Sequence, residues 1–445
     1  MFDKIIKTIP NFIKKWLRSL KTKWADNPRK RKLFLVMQKK HQELLVNIRG
    51  KKKLKVIFLV IHKGIWKLDP VFQKMAKDPF FEPIILVCPY TPNGENNMWQ
   101  EMKECYEYFE EKEYPLLSSF DREKNRWRTL EEIQPDIIFF TNPHKITRKE
   151  YYEDAYLNYL TCYVPYYSDV ASNYNVDSAY NGIVQNIVWL YFASSSYSFE
   201  RAKCFQANRG TNVILSGMPN LESLSVSKSS SHDVWKSVGD RKRIIYAPHQ
   251  SVLKNEPLYM STFIEVADFM ILLSEKYKDK VQWSFKPHPL LKEKLYQHPS
   301  WGKDKTDLYY YYWEKSEHTQ LDNGDYIELF RTSDALIHDC GSFVFDYLVT
   351  GKPCAYLLFD SKRQLKVINE FGKWALDHHR ILAKHGQIEI FVSDLLSNHI
   401  NKVIDLKEFY EAHIKPLYEL GAPSELIVNT IKSEIFCNPR YPSGL

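Results

Sequence analysis

Residues 333–353, SDALIHDCGSFVFDYLVTGKP, decide the fold. The short aliphatic run Ala335–His338 predicts a β-strand that ends in polar residues. Gly341-Ser342 follows it, and the apolar residues 343–350 predict a helix that Gly351 and Pro353 bring to an end. A strand, a turn and a helix in this order make one βα unit, which is the building block of a parallel sheet.

The same alternation extends along the chain on both sides of this unit. Four strands are predicted in a first set, at 54–61, 84–88, 136–140 and 213–215. A second set comprises 243–247, 281–285, 326–329, 335–338 and 354–358. The polar run 225–231 separates the two sets, as an interdomain linker would. We therefore expect an α/β protein with two doubly wound, Rossmann-like domains facing a cleft.

These patterns predict four regions. They are a basic amphipathic arm at 1–53, a first Rossmann-like domain at 54–224, a second Rossmann-like domain at 232–385, and C-terminal helices at 386–445. The composition is that of a globular protein, with 44% hydrophobic and 26% charged residues. Seven scattered cysteines without a CxxC pair favour neither a disulfide framework nor a zinc site, and they fit a reducing cytosol.

The positive charge of the chain is concentrated in its first 55 residues. They carry 18 Lys and Arg against three acids, a balance of +15, whereas the whole chain carries +8. Apolar residues between Phe2 and Leu20 recur at helical spacing among the lysines, as in helices that lie on anionic membranes. A helix docked on its own domain and a mitochondrial targeting segment are alternatives. We expect residues 1–32 to contact an anionic membrane surface, and we expect no nucleic-acid partner because no recognition motif is present.

Polar residues follow three strands of the second set. In open α/β sheets the ligand binds beyond the carboxyl ends of the strands, so these residues are candidates for one site. The amides of a glycine turn that starts a helix predict an anion site, which cationic side chains from neighbouring strands would complete. The candidates are Pro248 and His249, Lys286 and His288, and His338, Asp339, Gly341 and Ser342.

The spacing of the candidate residues along the sequence disfavours a metal site and a serine hydrolase. A metal site built from His249, His288, His338 and Asp339 lacks any HxxxH or HExxH pair, and Lys286 would repel a cation. A serine hydrolase lacks the GxSxG turn. We therefore expect neither a metal nor a cofactor.

With these residues placed, the sequence resembles the CDP-glycerol glycerophosphotransferase family, whose members are membrane-associated enzymes of teichoic acid and capsule synthesis. The likeness rests on Tyr246-Ala-Pro248, on Lys286-Pro-His288-Pro289, on the segment 333–353 and on Ser216-Gly-Met-Pro-Asn220. It implies a GT-B fold, with the acceptor in the domain at 54–224, the nucleotide donor in the domain at 232–385 and C-terminal helices at 386–445 that could cross back to the first domain. It also implies transfer of a polyol phosphate, glycerol or ribitol, from a CDP-activated donor, with release of CMP. It also implies a lipid-linked or glycan acceptor and a peripheral location on the cytoplasmic face of the cell membrane.

The resemblance also suggests roles for residues. His249, Lys286, His288, His338, Asp339, Gly341 and Ser342 would bind the donor phosphates, and Pro248 and Asp346 the nucleotide. His288 would take part in catalysis, with His62 or His144 of the first domain as the base. The family's W-H-G-T-P motif is absent, since 162–168 read CYVPYYS, and Lys286 and His338 stand where the family has Arg and Thr. A GT-B glycosyltransferase that uses a nucleoside-diphosphate sugar and a noncatalytic nucleotide-binding membrane protein are the alternatives.

Overall fold

The computed structural model describes residues 27–436 except 93, 172–178, 226–233, 237–238, 255, 257–258 and 400–420. These residues form two compact units. The first contains the described residues up to 166, those between 179 and 219, and those from 421 onward. The second contains residues 167–171 and the described residues between 220 and 399. Of the predicted linker, residues 226–231 lie outside the described part of the chain.

The first unit is built on a seven-stranded parallel sheet in the order β3-β2-β1-β6-β7-β8-β9. The strand order reverses between β1 and β6, which creates the switch point where doubly wound sheets bind ligands. The strands are β1 (Leu54–Val60), β2 (Phe81–Val87), β3 (Leu116–Ser118), β6 (Ile137–Phe140), β7 (Leu160–Tyr163), β8 (Leu190–Ala193) and β9 (Val213–Leu215), and β4 (Phe120–Asp121) and β5 (Arg126–Trp127) form a small antiparallel pair.

The second unit has a six-stranded parallel sheet in the order β12-β11-β10-β13-β14-β15. Its order reverses between β10 and β13. The strands are β10 (Lys242–Ala247), β11 (Val281–Phe285), β12 (Thr319–Leu321), β13 (Ala335–His338), β14 (Cys354–Leu357) and β15 (Arg380–Leu382). Both units therefore contain a doubly wound, Rossmann-like sheet, as expected.

Helices of both units cover these sheets. In the first unit they are α1 (Asn27–Ile48), α2 (Asp69–Ala76), α3 (Glu95–Glu111), α4 (Leu130–Ile133), α5 (Glu153–Asn158), α6 (Ile183–Ile187) and α7 (Ser196–Phe205). The second unit has α8 (Glu222–Ser225), α9 (Phe263–Lys276), α10 (Leu291–Gln297), α11 (Gly302–Lys315), α12 (Ile327–Thr332), α13 (Phe343–Asp346), α14 (Ser361–Gln364), α15 (Glu370–Leu376) and α16 (His385–Leu396). The last described helix, α17 (Pro423–Phe436), returns to the first unit.

Helix α1 is docked on the first unit. Its buried residues recur at helical spacing and form one stripe, Phe34, Met37, His41, Leu45 and Ile48. The side chains of Lys30 and Arg31 donate to the carbonyl oxygens of Asn181 and Ala207, at 2.5 and 2.6 Å. The expectation of a basic arm reaching to residue 53 is therefore wrong for residues 27–48. Its first 26 residues lie outside the described part.

Two C-terminal helices pack in different units. Ile388, Phe391, Val392 and Leu395 of α16 lie in the core of the second unit, beside Trp283 and Trp313. The apolar face of α17 lies in the core of the first unit with β1, and Arg49 donates to the carbonyl of Ile435 at 2.9 Å. The chain thus crosses back to its first unit after residue 420.

Two local predictions in the second unit have different outcomes. Residues 326–329 were expected as a strand, but they begin α12, whose Leu329 and Phe330 are buried. Residues 343–350 are helical as predicted, first as α13 and then as a 3-10 turn over Tyr347–Thr350. Gly351 ends this turn with a φ of 66°, a left-handed conformation that glycine adopts without steric cost.

Candidate functional site

The loops after β10 and β11 are joined along their backbones. The amide of Lys286 donates to the carbonyl of Tyr246 at 2.8 Å, and the amide of His288 donates to the carbonyl of Pro248 at 3.1 Å. These bonds extend the pairing of the two parallel strands beyond their carboxyl ends. The polar residues that follow the two strands are therefore held side by side.

Asp339 connects the loop after β13 to the loop after β10 through hydrogen bonds. Its Oδ1 accepts from the backbone amide of His249 at 2.5 Å. Its Oδ2 accepts from the amide and hydroxyl of Thr262, at 2.5 and 2.8 Å, and from the hydroxyl of Ser261 at 3.2 Å. The carboxyl group is fully buried, and burial raises its pKa to about 6. The expectation that Asp339 contacts phosphate needs correction, because its oxygens are enclosed by donors of the protein.

His249 and His288 lie next to each other, with ring centroids 5.3 Å apart. Nδ1 of His249 accepts from the amide of Ser251 at 3.2 Å, and Nδ1 of His288 accepts from the amide of Leu290 at 3.2 Å. Because Nδ1 is an acceptor in both rings, the ring proton is on Nε2 in each. Both side chains are therefore prepared as Nε2–H donors, which suits an anionic ligand.

Lys286 brings a positive charge to this edge. Its side chain is 9% exposed, and Nζ contacts Oδ1 of Asp322 at 3.2 Å and the carbonyl of Gly324 at 2.6 Å. An ammonium group has three hydrogens, and these two partners leave a third available. The salt bridge fixes the direction of the side chain and offsets the cost of burying its charge.

Gly341 and Ser342 begin the turn into α13. The hydroxyl of Ser342 lies 3.2 Å from the sulfur of Cys340 and makes no capping hydrogen bond. Ser342 is exposed and Gly341 is partly exposed. These two residues are thus accessible to a ligand at the edge that carries His288.

His338 does not reach that edge. It is fully buried, and its Nδ1 lies 3.0 Å from the carbonyl oxygen of Cys340. Its ring packs against the rings of Tyr356 and His379, with both centroids 5.3 Å away. The expected role of His338 as a phosphate donor needs correction, because the strand directs the ring into the core.

Asp346 is also enclosed. Its carboxylate accepts from the hydroxyl of Ser168 at 2.6 Å and from that of Tyr326 at 2.7 Å, and Asn220 donates to the same tyrosine oxygen at 2.8 Å. Asp346 is only 3% exposed. The nucleotide-binding role expected for it needs correction, because it connects residues 167–171 and α12 within the second unit.

The two histidines expected as bases lie beyond neighbouring strands of the first unit. His62 follows β1 and caps a short 3-10 turn, with Nδ1 accepting from the amide of Gly64 at 2.9 Å. His144 follows β6 and lines a small pocket with Thr141, Asn142 and Tyr152. Burial lowers the pKa of both imidazoles, so both are neutral at pH 7.

Several residues that shape the site had little signal in the sequence. Ser261 and Thr262, which hold Asp339, precede a helix and carry only the ordinary signal of a helix start. Asp322, which holds Lys286, lies in an Asp-Asn-Gly turn. His379 packs on His338 from a point 41 positions further along the chain, and no motif connects the two.

Three comparisons place this geometry among known proteins. The family model for CDP-glycerol:poly(glycerophosphate) glycerophosphotransferase matches residues 125–371, more than half of the chain. No curated protein matches the sequence. Two structures of wall teichoic acid polymerase TagF are similar in fold, with TM-scores of 0.57 and 0.55, identities of 14% and 16%, and coverage of 93% and 96% of this chain and 98% of theirs.

A UDP-N-acetylglucosamine 2-epimerase structure from Listeria monocytogenes is similar as well. It has a TM-score of 0.53 at 15% identity and covers 89% of this chain and 100% of its own. At these identities the likeness concerns the fold alone. Together with the two Rossmann-like sheets, it shows an α/β fold of the GT-B type.

Proposed function

This chain belongs to the CDP-glycerol:poly(glycerophosphate) glycerophosphotransferase family and is a transferase of that type, and from this premise we propose that it transfers glycerol phosphate from CDP-glycerol to a hydroxyl of a teichoic acid or related acceptor. The observation that carries the proposal is the extent of the family match. Residues 125–371 include β10, β11 and β13 together with the polar loops that follow them. An acceptor that is polymeric or lipid-linked fits a family defined by transfer to poly(glycerophosphate).

The chemistry follows from the groups at this edge of the second unit. An acceptor hydroxyl oxygen attacks the β-phosphorus, a new P–O bond forms, and the bond to the bridging oxygen breaks as CMP leaves with its electron pair. Negative charge develops on the phosphoryl oxygens and on the leaving phosphate, so donors in fixed positions lower the barrier. We assign this stabilisation to Nζ of Lys286, to Nε2–H of His249 and His288, and to the turn at Gly341 and Ser342.

The hydroxyl proton must pass to a base. Nδ1 of His62 already accepts from Gly64, so its ring proton is on Nε2 and the ring has no free lone pair. His144 lies on the wall of a pocket, and burial keeps its pKa below the ordinary value, so it is neutral at pH 7. We therefore propose His144, and not His62, as the candidate base within the first unit, and we give His62 the local role of capping its turn.

Helix α1 supports a peripheral position on an anionic membrane. The face opposite its docked stripe carries Leu35, Val36 and Val46, which are 64%, 57% and 65% exposed, together with exposed Lys32 and Lys39. Apolar and basic groups on one face of a helix are typical of interfacial binding. Across the described residues, no helix combines the length and hydropathy that crossing a bilayer requires. We propose that this face contacts the cytoplasmic surface of the cell membrane.

The donor can be identified by thermal stabilisation, since a ligand that binds the native state raises its melting temperature. The purified chain is heated with CMP, CDP-glycerol, CDP-ribitol or UDP-sugars, and CMP release is then measured with an acceptor present. We expect stabilisation by cytidine ligands and a phosphodiester product. Stabilisation by UDP-sugars alone, with a glycosidic product, would overturn the proposed reaction.

The membrane contact can be tested by co-sedimentation with vesicles that contain phosphatidylglycerol. The double variant Leu35→Glu, Val36→Glu should bind these vesicles more weakly, because it removes apolar area and adds repulsion. The matched control is Leu272→Glu, which changes a leucine of α9 that is 68% exposed. Equal binding of the double variant and the wild type would exclude α1 from the contact.

A further inference from the structure

Three potential metal ligands meet inside the second unit. His338 ends β13, Cys354 begins the adjacent strand β14, and His379 immediately precedes β15, which pairs with β14. One donor atom from each residue lies within 4.8 Å of the donor atoms of the other two. Their exposed fractions are 0%, 1% and 6%. The cluster is therefore enclosed in the core.

The hydrogen bonds of the two imidazoles leave their Nε2 atoms as acceptors. Nδ1 of His338 lies 3.0 Å from the carbonyl oxygen of Cys340, and Nδ1 of His379 lies 2.9 Å from that of Ala375. A carbonyl oxygen only accepts, so Nδ1 carries the proton in both rings. Both Nε2 atoms are buried and have no hydrogen-bond partner among the described residues.

This arrangement is unusual for a purely structural core. Buried polar atoms are nearly always hydrogen-bonded, and here the sulfur of Cys354 offers a single weak donor for two ring nitrogens. A histidine that binds a metal through Nε2 commonly donates Nδ1–H to a backbone carbonyl, which fixes the ring and its tautomer. Both rings have this form.

The structure assigns to His338, Cys354 and His379 a binding site for one thiophilic transition-metal ion, Zn²⁺ or Cu⁺. On binding, the thiol of Cys354 loses its proton to solvent and a sulfur–metal bond forms, while each imidazole contributes the lone pair of Nε2. One proton is therefore released for each ion bound. The ligands differ from the four residues considered from the sequence and share only His338 with them.

The spacing of the donor atoms fits such an ion. With bonds of about 2.0–2.3 Å, ligand atoms around one ion lie roughly 3.3–4 Å apart, so small side-chain rotations bring these donors into range. Cu⁺ with two neutral imidazoles and one thiolate would form a three-coordinate site without net charge. Zn²⁺ would retain a charge of +1 and take a fourth ligand such as water. The two ions share the ligand set, and the experiment distinguishes them.

Binding would connect three neighbouring strands. An ion held by His338, Cys354 and His379 links β13, β14 and the residue before β15, and Cys340 and Ser342 follow closely after the first ligand. We expect the metal to stabilise the second unit and the turn at Gly341. This role adds to the proposed transfer reaction and does not depend on it.

The test uses the full chain after treatment with a chelator and a thiol reductant. Zn²⁺ or Cu⁺ is added, unbound metal is removed by gel filtration, and the metal content and melting temperature are measured. We expect one equivalent of one of these ions and a higher melting temperature. Co²⁺ added in place of Zn²⁺ should give a thiolate-to-cobalt charge-transfer band, and X-ray absorption at the edge of the bound metal should show one sulfur and two imidazole nitrogens.

Variants locate the site. Cys354→Ala and His379→Gln should each weaken metal binding at least about 10-fold, as loss of a ligand or its support does. The matched controls are Cys162→Ala and His41→Gln, which change a buried thiol and a buried imidazole of the first unit. The proposal is overturned if the wild type binds neither ion stoichiometrically, or if Cys354→Ala keeps the charge-transfer band. If the variants do not fold, the proposal is overturned by an X-ray absorption spectrum of the wild type that shows no sulfur ligand to the metal.

Discussion

Two pairs of histidines in the second unit have opposite hydrogen-bond arrangements. In His249 and His288, Nδ1 accepts from a backbone amide two residues further along the chain. In His338 and His379, Nδ1 instead lies against a backbone carbonyl. The first pair therefore has Nε2–H donors, whereas the second pair has Nε2 lone pairs.

This difference shows that the backbone partner of one ring nitrogen determines what the other nitrogen can bind. Donors suit an anion such as a phosphate, and lone pairs suit a cation. Asp339 connects the two regions, because it directly follows His338 and accepts from the amide of His249. The following predictions test the comparison, beginning with the largest effect.

The largest effect is expected for His288→Ala. Removing one donor that stabilises charge in a transition state costs about 100- to 1,000-fold in turnover. We expect this loss in the rate of CMP release from CDP-glycerol, with the melting temperature nearly unchanged because His288 is partly exposed.

The matched control for this variant is His298→Ala. Nδ1 of His298 also accepts from the amide two residues further on, at 3.3 Å, but His298 follows helix α10 and not a strand. Its replacement should leave CMP release within about twofold of the wild type, since it makes no contact that the reaction uses. If both variants retained full activity, His288 would have no role in phosphate binding.

A large loss of stability is expected for Asp339→Asn. The two carboxylate oxygens accept four hydrogen bonds, two of them from backbone amides. An asparagine has only one acceptor oxygen, so at least one buried amide loses its partner, at a cost of about 2 kcal/mol. Chemical denaturation at a pH above 7, where the carboxyl group is ionised, measures the difference.

The control for this change is Asp304→Asn, on the exposed first turn of α11. It should alter the free energy of unfolding by less than about 0.5 kcal/mol. If Asp339→Asn were equally mild, the carboxylate would not be what holds the loops after β10 and β13 together.

The sequence could predict that the loops after β10, β11 and β13 meet at one edge of the sheet. It could not predict the directions of their side chains. Runs such as Ile244–Ala247 and Ala335–His338 are short, aliphatic and followed by polar residues, so both the strands and the edge at which they end were predictable. Both faces of β13 are buried, however, so alternation did not reveal that the ring of His338 lies in the core. His379 was missed because only the fold brings it to β13.

Errors elsewhere have similar physical origins. The run 326–329 is too short for the spacing of its apolar residues to distinguish a strand from a helix. The packing of Leu329 and Phe330 in the core favours helix α12. The strand Leu160–Tyr163 was missed because its central residues are Thr161 and Cys162, which interrupt the aliphatic pattern. In α1 the excess of lysines concealed the buried stripe that docks it.

The pH dependence of stability should change in His249→Gln. Burial, followed by the nearby His288 and Lys294, lowers the pKa of His249 well below its ordinary value. In the unfolded chain the imidazole takes up a proton below about pH 6.5, but in the folded chain it does not, so acidification favours unfolding by up to about 1.4 kcal/mol per pH unit. Denaturation midpoints from about pH 7.5 to about pH 5 should therefore fall less steeply in the variant than in the wild type.

A control for this measurement is His399→Gln, which removes an exposed imidazole from the same unit. Identical slopes for His249→Gln and the wild type would show that His249 takes up a proton within the folded structure. The neutral Nε2–H donor assigned to it would then be incorrect.

The smallest effect is expected for Ser251→Ala, which tests what orients the ring of His249. The hydroxyl of Ser251 accepts from the amide of Met260 at 3.0 Å, and its own hydrogen is directed to Nδ1 of His249 at 2.7 Å. Its loss should cost about 1 kcal/mol of stability. The backbone amide of Ser251 still donates to Nδ1, so CDP-glycerol affinity should fall by no more than about fivefold, which is less than for His249→Gln. Equal losses of affinity in Ser251→Ala and His249→Gln would mean that the hydroxyl of Ser251, and not its backbone amide, keeps the ring of His249 in its donor form. The contrast with His338 and His379 would then depend on the side chain of Ser251 and not on the backbone.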